Sequence, residues 1–220
     1  MFRQRANLRH SLIALVTCLC VTVLYSPLMG RVLAQTTPVA PTAVAAAPWL
    51  GATSHTLTVG EQMDANLAAA TAPLLAQGMA GGPVVTYVTM LNSQSIVPTA
   101  PMTQARGVVG AALAGNRLVV RASFRELTSA LRDYATDPLD PPNPNITSGF
   151  HIHQGGPSEN GPFQYALTVT MNPNGLGGSA MGDYTLTPDQ LQALQNGRLY
   201  VDLHTTRNRG GELRGILMPA

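Results

Sequence analysis

The chain has 220 residues, of which 45% are hydrophobic and only 11% are charged, with 13 basic and 11 acidic side chains. This length suggests one domain with extensions. No basic patch is present, which argues against nucleic acid or an anionic membrane as the partner.

The N-terminus has the pattern of a secretory signal peptide. Three arginines precede a 13-residue apolar core, Leu12–Leu24, which is shorter than the roughly 20 residues of a membrane span. Small residues follow at the positions expected before a cleavage site. The pattern predicts a signal peptide over 1–34, cut after Ala34, and therefore a periplasmic or extracellular protein with no membrane attachment. An uncleaved anchor stays open as an alternative, because further apolar residues extend to Met29.

Cleavage would change the cysteine content and the net charge of the chain. Both cysteines, Cys18 and Cys20, lie in the predicted signal, together with four basic residues and no acidic ones. The formal charge would fall from +2 to −2. An exported domain without disulfides must rely on its own core or on a bound metal.

Residues 35–82 are predicted to form a linker and an irregular or partly helical extension. The first part, 35–48, is rich in Ala, Pro and Thr and carries no charge. The second part has a weak helical spacing that Pro73 is expected to interrupt, which predicts only a short helix packed on the main domain. His55, in this region, is interpreted as a surface side chain.

From residue 83 onwards the chain has the pattern of an all-β domain. Short runs rich in Val, Leu and Tyr are separated by Gly, Pro and Asn, and Gly115-Asn116 marks a hairpin turn. Seven such runs predict a β-sandwich or barrel. The predicted strands are 84–91, 105–115, 117–127, 148–154, 164–171, 198–205 and 211–218.

One short helix is predicted before the penultimate strand. Thr187 is the expected N-cap, Pro188 the first helical residue, and Gly197 the stop signal. Two long Pro- or Gly-rich segments, 133–149 and 171–183, are predicted to be loops and are candidates for a binding surface.

The histidines occur on two of the predicted strands. Because side chains alternate along a strand, His151 and His153 lie on the face opposite to the apolar Phe150 and Ile152. The strand at 198–205 likewise places Tyr200, Asp202 and His204 away from its apolar face. Three imidazoles from neighbouring strands suit copper or zinc. The alternative is that they are ordinary surface histidines.

Several stretches resemble the CHRD (chordin-type) domain family. They are "LNSQSIVPTAPMTQARGVVGAAL" (91–113), "GFHIHQGGPSENGP" (149–162) and "LTPDQLQALQNGRLYVDLHTTRNRGGELRGIL" (186–217). The chain departs from the family pattern at Ile96, where a glutamate is usual. The resemblance covers roughly 84–218, and the CHRD domain is therefore predicted over 83–220.

A fainter similarity connects the same stretches to copper–zinc superoxide dismutases, and it implies a Greek-key β-sandwich. The resemblance matches His151, His153 and His204 to copper ligands. The bridging histidine, the zinc-loop histidines and the disulfide of that family are missing here. Arg214 is the nearest counterpart of the anion-steering arginine.

These observations leave three functions open. The first is an exported binding module for an extracellular or envelope partner, carrying a surface copper site of His151, His153 and His204, with zinc the less favoured metal. In this interpretation Asp202 and Tyr200 would orient the ligands. The second is a dismutase-like copper enzyme, although an enzyme is the less favoured prediction. The third is a metal-free structural or adhesion module, in which Glu212 and Arg214 form a cross-strand pair.

Overall fold

A computed structural model describes residues 57–76 and 82–220. The predicted signal peptide, the linker up to residue 56 and His55 lie outside the described residues. The described helices are α1 (Val59–Ala76) and α2 (Pro188–Gln195). The strands are β1 (Val85–Leu91), β2 (Arg106–Ala114), β3 (Arg117–Arg125), β4 (Phe150–Gln154), β5 (Phe163–Ala166), β6 (Thr168–Met171), β7 (Gly178–Thr185), β8 (Leu199–Leu203), β9 (Leu213–Ile216) and β10 (Met218–Pro219).

The strands form two antiparallel sheets. The larger sheet has the order β10-β1-β2-β3-β7-β6, and the smaller has the order β5-β4-β8-β9. The pairs β3–β7 and β4–β8 join strands that are far apart in the chain, as in Greek-key sandwiches. The predicted all-β sandwich is confirmed.

The hydrophobic core lies between the sheets. Phe124 of β3 meets Phe150 of β4 edge to face, with ring centroids 5.6 Å apart. Alternate residues of β4 and β8 complete this core and are fully buried: Phe150, Ile152, Leu199, Val201 and Leu203. The face assignment made from the sequence is therefore confirmed for both strands.

Two features of the strand pattern differ from the prediction. The run 164–171 divides at the buried Leu167, so that β5 belongs to the smaller sheet and β6 to the larger. The segment 171–183, predicted as a loop, contains most of β7. Gly178 serves packing rather than a turn, since a Cβ there would lie 2.3 Å from the Thr170 carbonyl oxygen, whereas Gly175, at φ 68°, does lie in a turn.

The predicted hairpin and the short helix are both present. Gly115, at φ 61°, turns the chain between β2 and β3. The Thr187 hydroxyl caps α2 by accepting from the Gln190 backbone N–H, and the Gln190 side-chain oxygen accepts from the Thr187 N–H. The sequence predicted this helix before the penultimate strand. In the structure it directly precedes β8, which is followed by two strands, because the last predicted run, 211–218, contains both β9 and β10.

Helix α1 is longer than the sequence suggested. It continues through Pro73 for 18 residues, so the expected interruption does not occur. Its buried Ala70 and Leu74 pack on Ala112 and Val119, on the outer face of the larger sheet. In the described ranges, no helix has the length and apolar character needed to cross a membrane.

We predict that Gly110→Ala destabilises the protein through this contact. A Cβ at Gly110 would lie 2.5 Å from the backbone nitrogen of Leu67 and 2.7 Å from its Cα, so α1 must move away from the sheet. Overpacking of this kind costs about 1–3 kcal/mol, measurable by chemical denaturation.

Gly60→Ala is the matched control, because Gly60 lies in the same helix with nothing within 4 Å of its added Cβ. It should be neutral or stabilising by up to about 1 kcal/mol. Equal stability of the two variants would contradict the close approach of α1.

Candidate metal centre

The centre is built on two neighbouring strands of the smaller sheet. β4 and β8 pair antiparallel with His151 opposite Asp202 and His153 opposite Tyr200. His204 follows the last residue of β8. Because the apolar residues of both strands face the core, these polar side chains share the opposite face of the sheet.

Four side chains on this face converge on one point. His153 Nε2 and His204 Nε2 each lie 3.2 Å from Asp202 Oδ1, and His151 Nδ1 lies 3.9 Å from the same oxygen. All four ligand atoms lie within 4.8 Å of one another. Ligands about 2.0 Å from a tetrahedral ion are about 3.3 Å apart, so two of these separations already match a bound metal.

Each imidazole uses its other nitrogen to hydrogen-bond a backbone carbonyl. His151 Nε2 lies 2.5 Å from the Ser148 oxygen, and His153 Nδ1 lies 3.0 Å from the Gly161 oxygen. His204 Nδ1 lies 2.9 Å from the oxygen of Arg209. A carbonyl oxygen only accepts, so in each pair the ring nitrogen must carry the hydrogen. In its neutral form each ring then directs a lone pair at the common point.

Within the described residues, the inward-facing atoms make no hydrogen bond while the imidazoles are neutral. His153 Nε2, Asp202 Oδ1 and His204 Nε2 are all buried, and a hydrogen could lie in either 3.2 Å separation only if the histidine were protonated. Buried polar groups are normally satisfied, and several converging acceptors lack any donor here. A cation at the common point would satisfy them all, so the donor set fits a metal ion.

The centre is buried, whereas the sequence predicted a surface site. His151 is only 1% exposed, and the side chains of His153 and His204 are 15% and 12% exposed. The ring of Tyr134, from the Pro-rich segment 133–149, lies 5.3 Å from the His151 ring and covers it. The strand pattern gives the correct face but does not reveal that a loop covers it.

Tyr200 and Arg214 support the centre from one side. The Tyr200 ring stacks on His153 with centroids 5.1 Å apart, and its hydroxyl accepts from the Gly161 N–H at 3.0 Å. The Arg214 guanidinium lies over the Tyr200 ring, 4.2 Å from its centroid, and approaches Asp202 Oδ2 at 3.3 Å. Asp202 thereby turns one oxygen to Arg214 and the other to the histidines.

Glu212 lies apart from the four converging side chains and from the Arg214 guanidinium. It is fully buried and accepts hydrogen bonds from Thr103, Thr128 and Thr205. Arg214 donates instead to the Glu159 carbonyl and to Asn160 Oδ1. The structure thus places the two members of the predicted cross-strand pair in different hydrogen-bond networks.

The protonation of the centre follows from burial and mutual charge. Burial, reinforced by His204, lowers the pKa of His151 to about 4. Burial alone would raise the pKa of Asp202, but His204 and His153 outweigh it and hold that pKa well below its usual range. Burial alone would lower the pKa of His204, but Asp202 and the Arg209 carbonyl outweigh it and raise that pKa. At neutral pH the centre therefore offers an ionised carboxylate and a neutral His151.

Sequence reasoning identified the three histidines but assigned Asp202 only an orienting position. The structure places its Oδ1 among the potential ligand atoms. The available signal was its position two residues before His204, which puts both side chains on one strand face. The carbonyls of Ser148, Gly161 and Arg209 carry no sequence signal, because every residue has one.

Comparison with known families agrees with this architecture. A model of the CHRD domain matches residues 87–217. The chain belongs to the CHRD family. This supports a domain of the binding-module type, and CHRD domains are typically extracellular. Searches against curated proteins and against solved structures found no match.

We predict that metal binding to this CHRD domain weakens as the pH falls. His204 has a raised pKa, so without metal it becomes protonated above its ordinary value of 6.5, and a metal must then displace that proton. The apparent affinity for Zn²⁺ should fall about tenfold per pH unit below that pKa, as measured by competition with a chelator.

Imidazole NMR of the metal-free protein supplies the independent check. His204 should titrate above 6.5, while His151 should stay neutral down to about pH 4. The stability contributed by His204 is then fully present below pH 6.5 and is lost as the pH rises through its folded-state pKa. A pH-independent affinity between pH 8 and pH 5 would contradict this arrangement.

Proposed function

We propose that this protein is an exported CHRD binding module whose binding surface is held in place by a transition-metal ion at His151, His153, Asp202 and His204. The observation that carries the proposal is the convergence of buried, unpartnered acceptor atoms on one point. Without a bound cation, the cost of burying these atoms is offset only in part, by Arg214 on the far oxygen of Asp202 and by protonation of His204.

The donor set narrows the choice of ion. Three imidazoles and one carboxylate suit Zn²⁺ and Cu²⁺, and they differ from the all-oxygen sets of Ca²⁺ and Mg²⁺. A complete set of four protein ligands favours Zn²⁺ in a closed, structural role. Copper, which the histidines alone favoured, remains the competitor because Cu²⁺ binds such sites more tightly in general. The participation of Asp202 is what moves the preference towards zinc.

The loops around the centre explain how a metal would serve a binding module. The three carbonyls that orient the imidazoles come from different connections: Ser148 precedes β4, Gly161 lies between β4 and β5, and Arg209 lies between β8 and β9. A metal that fixes the imidazoles would therefore fix all three connections at once. We propose that an extracellular or envelope partner recognises the surface formed by these connections.

The dismutase-like alternative receives no specific support from the arrangement of the arginine. Arg214 is buried, and its guanidinium is engaged with Asp202, Asn160 and the Glu159 carbonyl. An arginine that steers an anion has to face the route by which the anion arrives. The site therefore favours a binding module with a structural metal ion over a dismutase-like enzyme.

We predict that the purified protein binds one equivalent of Zn²⁺ or Cu²⁺, as measured by titration calorimetry and elemental analysis. His153→Ala and Asp202→Asn should each weaken binding by at least about tenfold, since each removes one of the four donors. Asp189→Asn is the matched control for Asp202→Asn, because it removes an exposed carboxylate in the first turn of α2 that is not among the converging side chains.

Binding that is unchanged in both site variants would refute the metal site and favour the metal-free structural module. Tight binding that is lost only in His153→Ala would retain the histidines and remove Asp202 from the ligand set. Comparing the Zn²⁺ and Cu²⁺ affinities of the wild type decides between the two ions.

We predict that removing the metal with a chelator loosens the loops more than the sandwich. Hydrogen exchange should accelerate at backbone amides near Ser148, Gly161 and Arg209, while the core strands β2 and β3 keep their protection. Restoring metal at 1,000 times its dissociation constant should add about 4 kcal/mol, which raises the melting temperature by roughly 10 °C. Uniform exchange with and without metal would contradict the role given to the ion.

A further inference from the structure

Glu212 is a buried carboxylate without an oppositely charged partner among the described residues. It is 0% exposed, and no arginine or histidine forms an ion pair with it among the described residues. Isolated buried charges are costly, so such a residue needs hydrogen-bond compensation from its surroundings.

Four hydrogen bonds supply that compensation, two to each carboxylate oxygen. Oε1 accepts from Thr103 Oγ1 at 2.7 Å and from the Thr128 N–H at 2.8 Å. Oε2 accepts from Thr128 Oγ1 at 2.9 Å and from Thr205 Oγ1 at 2.7 Å. Burial would raise the pKa of Glu212, but these donors outweigh it and lower that pKa, so the carboxylate is ionised at neutral pH.

The donors come from three separate connections of the fold. Thr103 precedes β2, Thr128 follows β3, and Thr205 belongs to the connection between β8 and β9, directly after His204. Thr205 Oγ1 also accepts from the Asn208 N–H at 3.1 Å, and the Asn208 side chain donates to Thr128 Oγ1 at 2.9 Å. The carboxylate thus fixes the connection that carries both His204 and the Arg209 carbonyl that orients it.

We infer that Glu212 is a positioning residue for the metal centre, acting on His204 through Thr205 and the 205–211 connection. The inference rests on the proposed metal-binding function. Glu212 contacts none of the ligand atoms itself, so its effect is to hold His204 Nε2 aimed at the common point. Residues that orient metal ligands typically change the affinity by 10–100-fold when they are altered.

Two threonines allow a matched test. Thr205→Val and Thr103→Val each remove one hydroxyl that donates to Glu212 at 2.7 Å, but only Thr205 lies in the connection next to His204. If the Glu212 carboxylate only stabilised the fold, the two variants would have the same metal affinity. A positioning role would lower the metal affinity in Thr205→Val and leave it unchanged in Thr103→Val.

The experiment uses the purified protein loaded with Zn²⁺ for affinity and with Co²⁺ as a spectroscopic probe. Thr205→Val and Glu212→Gln should bind Zn²⁺ 10–100-fold more weakly at unchanged stoichiometry, with an altered Co²⁺ absorption spectrum. Thr103→Val should keep the wild-type affinity and spectrum. Circular dichroism confirms that each variant is folded, and Thr205→Val retains the test if Glu212→Gln does not fold.

The outcomes separate this inference from the function on which it rests. Wild-type affinity and spectrum in Thr205→Val would overturn the inference while the metal site stands. Equal losses of affinity in Thr205→Val and Thr103→Val would also overturn it and leave Glu212 a general stabiliser. A wild-type protein that binds neither ion would instead refute the metal site itself.

Discussion

The arrangement of this part of the fold depends on one electrostatic constraint: several acceptors converge in a buried place where neutral imidazoles leave no hydrogen between them. Each imidazole gives its only hydrogen to a carbonyl, and Asp202 turns an ionised oxygen towards the same point. In such surroundings the acceptors are tolerated only with a positive charge among them. A proton on His204 supplies that charge in part, and a metal ion would supply it fully.

The sandwich provides the rigidity that this constraint requires. β4 and β8 each bury alternate residues in the core between the sheets, so neither strand can rotate without exposing Phe150 or Val201. The opposite face of both strands is therefore fixed in position. Sites built on strands hold their ligands more precisely than sites built on loops, and three of the four converging residues lie on these strands. Only His204 lies just beyond a strand end, where the hydrogen bonds of Glu212 hold the following chain.

Much of the sandwich and of the metal centre could be predicted from the sequence. The features that could not be predicted lack a sequence signal for identifiable physical reasons. The period-two pattern of "GFHIH" and "RLYVDLHT" was enough to place the histidines of each stretch away from the core. It could not show that β4 pairs with β8, which brings His204 beside the other two. It could not show that Tyr134 covers that face, because the path of a Pro-rich connection has no periodic signal. β7 was missed because its glycines resemble turn signals, although Gly178 is required by the close approach of β6.

The hydrogen-bond acceptors of the three imidazoles are all main-chain oxygens, and this affects how the domain can diverge. A side-chain acceptor is lost with a single substitution, whereas a carbonyl survives any change of residue that preserves the backbone path. The exposed side chains of the connections around Ser148, Gly161 and Arg209 can therefore vary without disturbing the tautomers of the ligands. The same scaffold could then present different recognition surfaces while the chemistry beneath them stays constant.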